Sequence, residues 1–539
     1  MTIPRVLISD ALSDAAVDVF RTRGIEIDFQ PRLGSDHARL AEVIGGFDGL
    51  AVRSATRVGA ELIKAANGRL RVVGRAGIGV DNVDLQAATA AGVIVMNTPF
   101  GNSVTTAEHA IALLMTLARH ISPADRSTQA GKWEKSRFMG VEITGKVLGI
   151  LGCGNIGSLV AERAHGLRMK VITFDPFLSK ERAAELAVET VDLDDLLSRS
   201  DFITLHTPLT DKTKGIIDAA AIAKMKDGVR IINCARGELV VEEDLAAALR
   251  SGKAAGAAID VFSEEPARTS PLFGLDNVLC TPHLGAATAE AQEKVAVQIA
   301  EQMADYLIDG AISNALNMPS MSSEEAWRLT PFRRLTELLG SFVGQLTESP
   351  IKAIRIEYAG DVAETNTNPL TSALLSGLLE SILTDLNMVN APIVARERGI
   401  SVDETKQSQR GPYQTYIRLT VITEREERSV AGTVFSDGRP RIIEMDGVGM
   451  EADFSGHMLC IASPEASAGL IGHLGTVLSD NGIGLASLHF GHNIRDGSAI
   501  TLAAVNRTVP QDVLETIARH EHAKQVKPLA LDHALSGGL

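Results

Sequence analysis

Six residues, Gly152-Cys153-Gly154-Asn155-Ile156-Gly157, constrain this chain more than any other stretch. They match G-x-G-x-x-G and stand between the apolar run at 147–151 and a helix-compatible stretch at 158–167. A strand that turns on glycines straight into a helix lets a pyrophosphate approach the backbone and rest on the helix N-terminus. Asp175 closes the next apolar run, 18 residues past Gly157, where a carboxylate can accept hydrogen bonds from an adenosine ribose. The same charge repels a 2′-phosphate, which favours NAD over NADP. Such a glycine string alone also closes tight turns in unrelated α/β proteins; its place between strand and helix gives it weight.

Around this point the chain alternates. Residues 6–10, 25–29, 49–54, 71–77 and 93–97 are short β-like runs separated by helical stretches, several ending at glycine. A long helix is expected from Ser103 to about His120. A second strand series follows at 146–151, 170–175, 202–206, 230–235, 255–262 and 277–283, and then a helix at 286–310. This rhythm predicts an α/β protein with two doubly wound parallel-sheet domains. Residues 317–325 read as a linker. Beyond it, 351–360, a helical stretch at 369–388 and hairpin-like runs at 413–423, 428–436 and 439–447 predict an α+β domain. From about 456 the order β, α, β, β, α predicts a second α+β domain. With 539 residues, one hydrophobic core does not suffice.

The net charge of −15 speaks against a nucleic-acid surface, which needs a basic face. The richest apolar run, 110–118, is too short to span a bilayer, and residues 1–5 lack the pattern of a secretory signal. Cys153, Cys234, Cys280 and Cys460 are scattered, without metal-like spacing, so reduced thiols and no metal are expected. A soluble cytoplasmic protein follows as the expectation.

Arg236, Glu265 and His283 each stand just past the end of a predicted strand, the edge at which open α/β sheets bind ligands. Together they suit oxidation of a 2-hydroxy acid. His283 can take the hydroxyl proton near neutral pH while hydride leaves for a nicotinamide. Glu265 would orient that histidine and stabilise its protonated form, and the fork of Arg236 would hold the substrate carboxylate. A lone strand-end histidine would signify little; the trio together with the glycine string is what points to this chemistry.

The blocks at 232–245 (INCARGELVVEEDL), 256–266 (GAAIDVFSEEP) and 277–288 (NVLCTPHLGAAT) resemble the signature blocks of the D-2-hydroxyacid dehydrogenases. The resemblance implies that Arg236, Glu265 and His283 are catalytic. It implies an NAD site lined by Ile78, Gly152, Gly154, Asn155, Ile156, Gly157, Asp175, Thr207, Cys234, Asp260, Gly285 and Ala286, with Asp260 facing the nicotinamide carboxamide. It also implies a cofactor domain at 98–287 inserted into a substrate domain of 1–97 plus 288–317, followed by domains at 318–455 and 456–539.

Arg53 in AVRSATRV, Arg75 in VVGRAGIGVDNVD and Lys135 in GKWEKSRFMG occupy positions that bear on substrate anions in the phosphoglycerate-oxidising branch of that family. With NTPFGNSVTTAEH, these strings resemble that branch, and Ser54, Gly77 and Asn102 would contact substrate. The implied substrate is a small anionic phosphorylated hydroxy acid, because phosphate plus carboxylate needs more cations than lactate does. The tail after 317 resembles the intervening domain of the long forms of this branch, followed by an amino-acid-binding ACT domain. The loop 463–469 reads Ser-Pro-Glu-Ala-Ser-Ala-Gly where D-x-P-G is usual, and Gly484 stands where an effector-touching asparagine is frequent. An amino-acid effector and a purely oligomerising role therefore both stay open. The family implies a homodimer or homotetramer. The competing readings are a glyoxylate or hydroxypyruvate reductase of the same family and a corepressor-like NAD-sensing protein.

Overall fold

The computed structural model describes residues 3–383, 386–408, 413–494 and 496–532, which form two compact units. One comprises Met1–Arg75, Val80–Asn97 and Ile299–Leu539; the other Ala76–Gly79 and Thr98–Gln298.

The first unit opens with a parallel sheet of five strands in the order Glu26–Phe29, Arg5–Ile8, Gly49–Val52, Val72–Arg75, Ile94–Met96. Its strands other than Glu26–Phe29 are short and almost wholly buried, as parallel strands covered by helices on both faces must be. The second half of the helix Ala289–Asp309 lies on this sheet over two glycines. A Cβ on Gly74 would stand 2.2 Å from Met303 Sδ, and one on Gly49 3.0 Å from Met303 Cε. The strand order reverses between Arg5–Ile8 and Gly49–Val52, and Asp10, 3% exposed, fills the crevice there. Its carboxylate accepts from Arg53 N at 2.6 Å, Thr56 N at 3.2 Å and Thr56 Oγ1 at 2.8 Å.

The rest of this unit is α+β. A six-stranded sheet runs Ser401–Gln407, Ile351–Gly360, Thr415–Thr423, Glu427–Val434, Pro440–Met445, Val448–Asp453; the first pair is parallel and the others are antiparallel. A four-stranded antiparallel sheet, Leu485–His492, Ala499–Val505, His457–Ser463, Gln525–Ala530, carries the helices Ala468–Asp480 and Gln511–Ala518 over a core of Leu459, Ile461, Leu474 and Ile517.

Several features depart from the sequence reading. The 24-residue helix Ser323–Leu346 begins inside the stretch read as a linker, because Ser322 and Glu325 form a reciprocal capping box. The helical stretch at 369–388 is a helix Asn368–Glu380 followed by a second one, Ala391–Glu397, with residues 384–385 outside the described set. The strands Glu189–Thr190, Ser401–Gln407, Val448–Asp453 and Gln525–Ala530 were not expected; the first is two residues long, and Ser401–Gln407 is polar along nearly its whole length. Residues 533–539 of the last predicted domain also lie outside the described set.

The second unit is a parallel sheet of seven strands: Val278–Cys280, Ala254–Ile259, Val229–Asn233, Phe202–Leu205, Val147–Leu151, Lys170–Phe174, Glu189–Thr190. Separate hydrophobic cores cover its two faces. Its order reverses between Phe202–Leu205 and Val147–Leu151, where doubly wound sheets open a crevice at the strand C-termini. The fold is thus two doubly wound parallel sheets followed by α+β structure. Among the described residues no helix is long and apolar enough to cross a membrane, and all four cysteines are unpaired.

Candidate active site

At the switch point each glycine of the six-residue string has its own reason. Gly152 has φ +89°, and a Cβ on it would lie 2.8 Å from His206 O, so the first turn demands glycine. A Cβ on Gly157 would lie 2.1 Å from Gly152 O, so only glycine lets helix and strand approach so closely. A Cβ on Gly154 would meet nothing within 4 Å: this glycine faces open space. The helix Asn155–Gly166 starts there with no side-chain cap, leaving its first N–H groups unclaimed by a side chain. A cavity of about 280 Å³ lies against the loop, walled by Cys153, Gly154, Asn155, Ser158 and Asp175. Asp175 accepts from Cys153 N at 2.8 Å and Phe177 N at 2.9 Å, which fixes its carboxylate at the cavity edge with lone pairs to spare. Arg182 in the same wall is paired with Glu185 at 2.7 Å. Thr207 follows His206 directly, and Ile156 is half-buried at the helix start. An open glycine, an uncapped helix N-terminus and a fixed carboxylate fit a dinucleotide.

Arg236 stands beyond Val229–Asn233 in extended backbone. The Asn233 side chain brackets its turn, accepting from Ala235 N at 3.0 Å and donating to Arg236 O at 2.8 Å. A Cβ on Gly237 would lie 1.9 Å from Phe262 C, so the arginine turn rests on the peptide that leads into Glu265. Glu265 Oε1 accepts from Phe262 N at 3.0 Å, and Oε2 meets His283 Nδ1 at 2.6 Å. Burial pushes the Glu265 carboxyl up, but the bonds from His283 and Phe262 outweigh it and hold the group below the usual carboxylate range. A carboxylate can only accept, so Nδ1 carries the hydrogen and Nε2 keeps a lone pair. His283 has φ +55°, a left-handed conformation uncommon outside glycine.

Asp260, fully buried past Ala254–Ile259, holds that turn. Its Oδ1 accepts from Thr281 Oγ1 at 2.6 Å and Leu284 N at 2.7 Å, its Oδ2 from Gly285 N at 2.9 Å, and His109 Nε2 stands 3.2 Å from Oδ1. Burial raises its carboxyl, yet the bonds from His109, Thr281 and Leu284 carry it below the usual range. His109, Cys234 and Asp260 bring N, S and O donors within 4.8 Å of one another, a set that could hold a metal. Four hydrogen bonds already fill the Asp260 oxygens, and burial pushes the Cys234 thiol well up, so the geometry is that of a hydrogen-bonded hub.

The structure therefore brings Glu265 to His283 and Asp260 to Gly285, with Ala286 next in the turn. Arg53 and Ser54 sit on the loop that Asp10 pins, and Arg75 ends its strand, all three in the first unit. Gly77 and Ile78 belong to the segment grouped with the second unit, where Gly77 O accepts from Thr98 N at 3.1 Å. Asn102 precedes the helix Ser103–Arg119; its backbone carbonyl accepts from Thr106 N and Oγ1, while its buried Oδ1 has no partner among the described residues. Lys135 is exposed at the start of the short turn Lys135–Phe138. The sequence reading missed Asp10, Thr281 and His109. Asp10 closes an apolar run as Asp175 does, a signal that was available; a single histidine within an apolar helix carries none.

Residues 111–285 match the family model of the D-isomer specific 2-hydroxyacid dehydrogenase NAD binding domain, and residues 328–446 that of the D-3-phosphoglycerate dehydrogenase intervening domain. The chain is 39% identical over 520 residues to a D-3-phosphoglycerate dehydrogenase of Synechocystis sp., covering 96% of this chain and 93% of that protein. It is 38% identical over 528 residues to that of Bacillus subtilis, covering 98% and 99%. Among solved structures it is similar to a glyoxylate reductase from Paecilomyes thermophila, with TM-score 0.55 and 29% identity over 59% of this chain and 99% of that one. A D-lactate dehydrogenase from Escherichia coli gives TM-score 0.52 and 29% identity over 58% and 99%.

Proposed function

Because the chain belongs to the D-3-phosphoglycerate dehydrogenases, a branch of the D-isomer specific 2-hydroxyacid dehydrogenases, we propose that it oxidises D-3-phosphoglycerate to 3-phosphohydroxypyruvate with NAD, the opening step of phosphorylated serine biosynthesis. The observation that carries the chemistry is the 2.6 Å contact between His283 Nδ1 and Glu265 Oε2. His283 Nε2 takes the proton of the C2 hydroxyl, and ionised Glu265 stabilises the imidazolium that forms. The guanidinium of Arg236 grips the substrate carboxylate and polarises the C2 oxygen. Bound NAD supplies the hydride acceptor. Gly152, Gly154, Asn155, Ile156, Gly157, Asp175 and Thr207 hold its pyrophosphate and adenosine half; Ile78, Cys234, Asp260, Gly285 and Ala286 line the nicotinamide half. Arg53, Ser54, Arg75, Gly77, Asn102 and Lys135 receive the anionic ends of the substrate.

The domains in this reading are a substrate domain of 1–97 with 288–317, a cofactor domain of 98–287, an intervening domain of 318–455 and an ACT-like domain of 456–539. The protein is a cytoplasmic homodimer or homotetramer, and the ACT-like domain either takes an amino-acid effector or serves oligomerisation alone. Supporting the effector, the Asn506 amide occupies the space a side chain at Gly484 would need: its Nδ2 lies 2.8 Å from that Cβ position and its Oδ1 accepts from Gly484 N at 3.0 Å. Glu465, in the loop 463–469, is engaged by His522 Nδ1 at 3.1 Å.

Steady-state assays with NAD test the reaction on D-3-phosphoglycerate, D-glycerate and D-lactate. Turnover at least 100-fold more efficient on the phosphorylated acid is expected, since several cations address the phosphate (about 2.7 kcal/mol for 100-fold). Equal efficiency on the three acids would refute the substrate. Serine added to the same assay reports on the effector: unchanged rates at millimolar serine would remove it.

A further inference from the structure

We propose that His109 is a positioning residue for the reaction, acting through Asp260 on the backbone turn that carries His283. This rests on the reaction proposed above, because the turn matters only if His283 is the base.

Asp260 holds the turn from both its ends. Its backbone O accepts from His283 N at 2.8 Å, and its carboxylate accepts from Leu284 N and Gly285 N. The backbone of the catalytic histidine is thereby clamped between two groups of one residue. The clamp has a load to bear, because a left-handed conformation is strained at a non-glycine residue and persists only where neighbours enforce it.

The carboxylate needs fixing in turn. Three of its four donors, Thr281 Oγ1, Leu284 N and Gly285 N, belong to the turn itself and would move with it. The fourth, His109 Nε2, comes from the helix Ser103–Arg119, whose Ala107, Ala110 and Leu114 are packed into the core beneath the sheet. It also stands 3.5 Å from Thr281 Oγ1. An ionised carboxylate accepts and never donates, so Nε2 of His109 carries the hydrogen. Among the four donors to the carboxylate, His109 is thus the one that ties it to a rigid element outside the turn. Without that link the buried anion can swing with the turn, and the His283 imidazole moves relative to Glu265. A displacement of the order of 1 Å in a reacting group can lower the rate about 100-fold.

The full-length enzyme is assayed with NAD and D-3-phosphoglycerate as wild type, His109→Leu, His109→Gln and Thr281→Val. His109→Leu is expected to lower kcat by about 10- to 100-fold while KM for phosphoglycerate changes less than about threefold. Glutamine keeps an N–H near the place of Nε2, and His109→Gln should return kcat to within about threefold of wild type. Thr281→Val, which removes a donor internal to the turn, should lower kcat less than His109→Leu does. A His109→Leu enzyme within twofold of wild type would overturn the proposal, and so would a glutamine variant no better than leucine. If the leucine variant does not fold, the glutamine variant carries the test: kcat lowered 10-fold or more at unchanged thermal midpoint overturns it, and near-wild-type kcat supports it. A crystal structure of His109→Leu that keeps the 2.6 Å contact and the left-handed His283 also overturns it, whatever the substrate. Wild-type turnover in the same assay reports separately on the reaction.

Discussion

Each unit places a buried aspartate just past the C-terminal end of a sheet strand, and the two do comparable work with different fixings. Asp10 follows Arg5–Ile8 and pins Arg53 N and Thr56 N; Asp260 follows Ala254–Ile259 and pins Leu284 N and Gly285 N. Asp10 is completed by the hydroxyl of Thr56, which belongs to the loop it pins and also meets Ser9 Oγ at 2.8 Å. Asp260 is completed by Thr281 and by a histidine from a separate helix. The first loop presents Arg53 and Ser54, suited to holding an anion. The second presents His283, which must meet a proton within hydrogen-bond reach. A long cationic side chain adapts to its ligand, whereas a general base does not tolerate drift. The better-anchored aspartate is the one beneath the base.

Breaking each aspartate in turn should separate these roles. Asp260→Ala leaves four donors without an acceptor; we expect kcat to fall by about 100-fold or more and stability by roughly 3–5 kcal/mol, read by steady-state kinetics and urea unfolding. Asp10→Ala should lower stability by about 2–4 kcal/mol and raise KM for phosphoglycerate about 10-fold, with kcat nearly unchanged. A fall in kcat as large as that of Asp260→Ala would erase the distinction. Two glycines sharpen it. A Cβ on Gly34 would lie 1.9 Å from Thr56 Oγ1 and 2.5 Å from Asp10 Oδ1, whereas one on Gly285 would lie 3.3 Å from Asp260 Oδ2. Gly34→Ala should therefore destabilise by about 3 kcal/mol and Gly285→Ala by about 1 kcal/mol in the same unfolding assay. The smallest effect is in pH. The Asp260 carboxyl is held below its ordinary value in the folded state, so its stabilisation is present in full above about pH 4 and is lost as pH falls through the lower folded value. The stability gap between wild type and Asp260→Asn should stay constant from pH 7 to about pH 5 and close below about pH 4.

What the sequence shows and what it hides divides along a physical line. The glycine string is legible because Gly152 and Gly157 forbid a Cβ for local reasons, and local reasons leave a residue-type signature. Arg236, Glu265 and His283 are legible as polar residues ending apolar strands. Asp10 ends a strand in the same way, but its meaning depends on Thr56, which is 46 residues away. His109 is harder still, since its partner Asp260 lies beyond a whole series of strands and helices, and nothing in its own neighbourhood marks it. The helix Ser323–Leu346 hides for another reason: its capping box sits in a run of serines and glutamates, and Pro331 interrupts the pattern that would confirm it. Ser401–Gln407 is polar along nearly all its length because its side chains face solvent, so only pairing with Ile351–Gly360 makes it a strand.

The helix that crosses Gly49 and Gly74 sets a schedule for biosynthesis. The five-stranded sheet is complete by Met96, yet Ile299, Met303 and Leu307, which close over its glycines, are translated much later. At about 5–20 residues per second, the roughly 210 residues between them take about 10–40 s to emerge. During that interval the nascent sheet lacks the cover over Gly49 and Gly74. The seven-stranded sheet is made in one continuous stretch and can bury its own cores first. The N-terminal sheet is therefore the part of the newborn chain with most need of a chaperone, although it is made first.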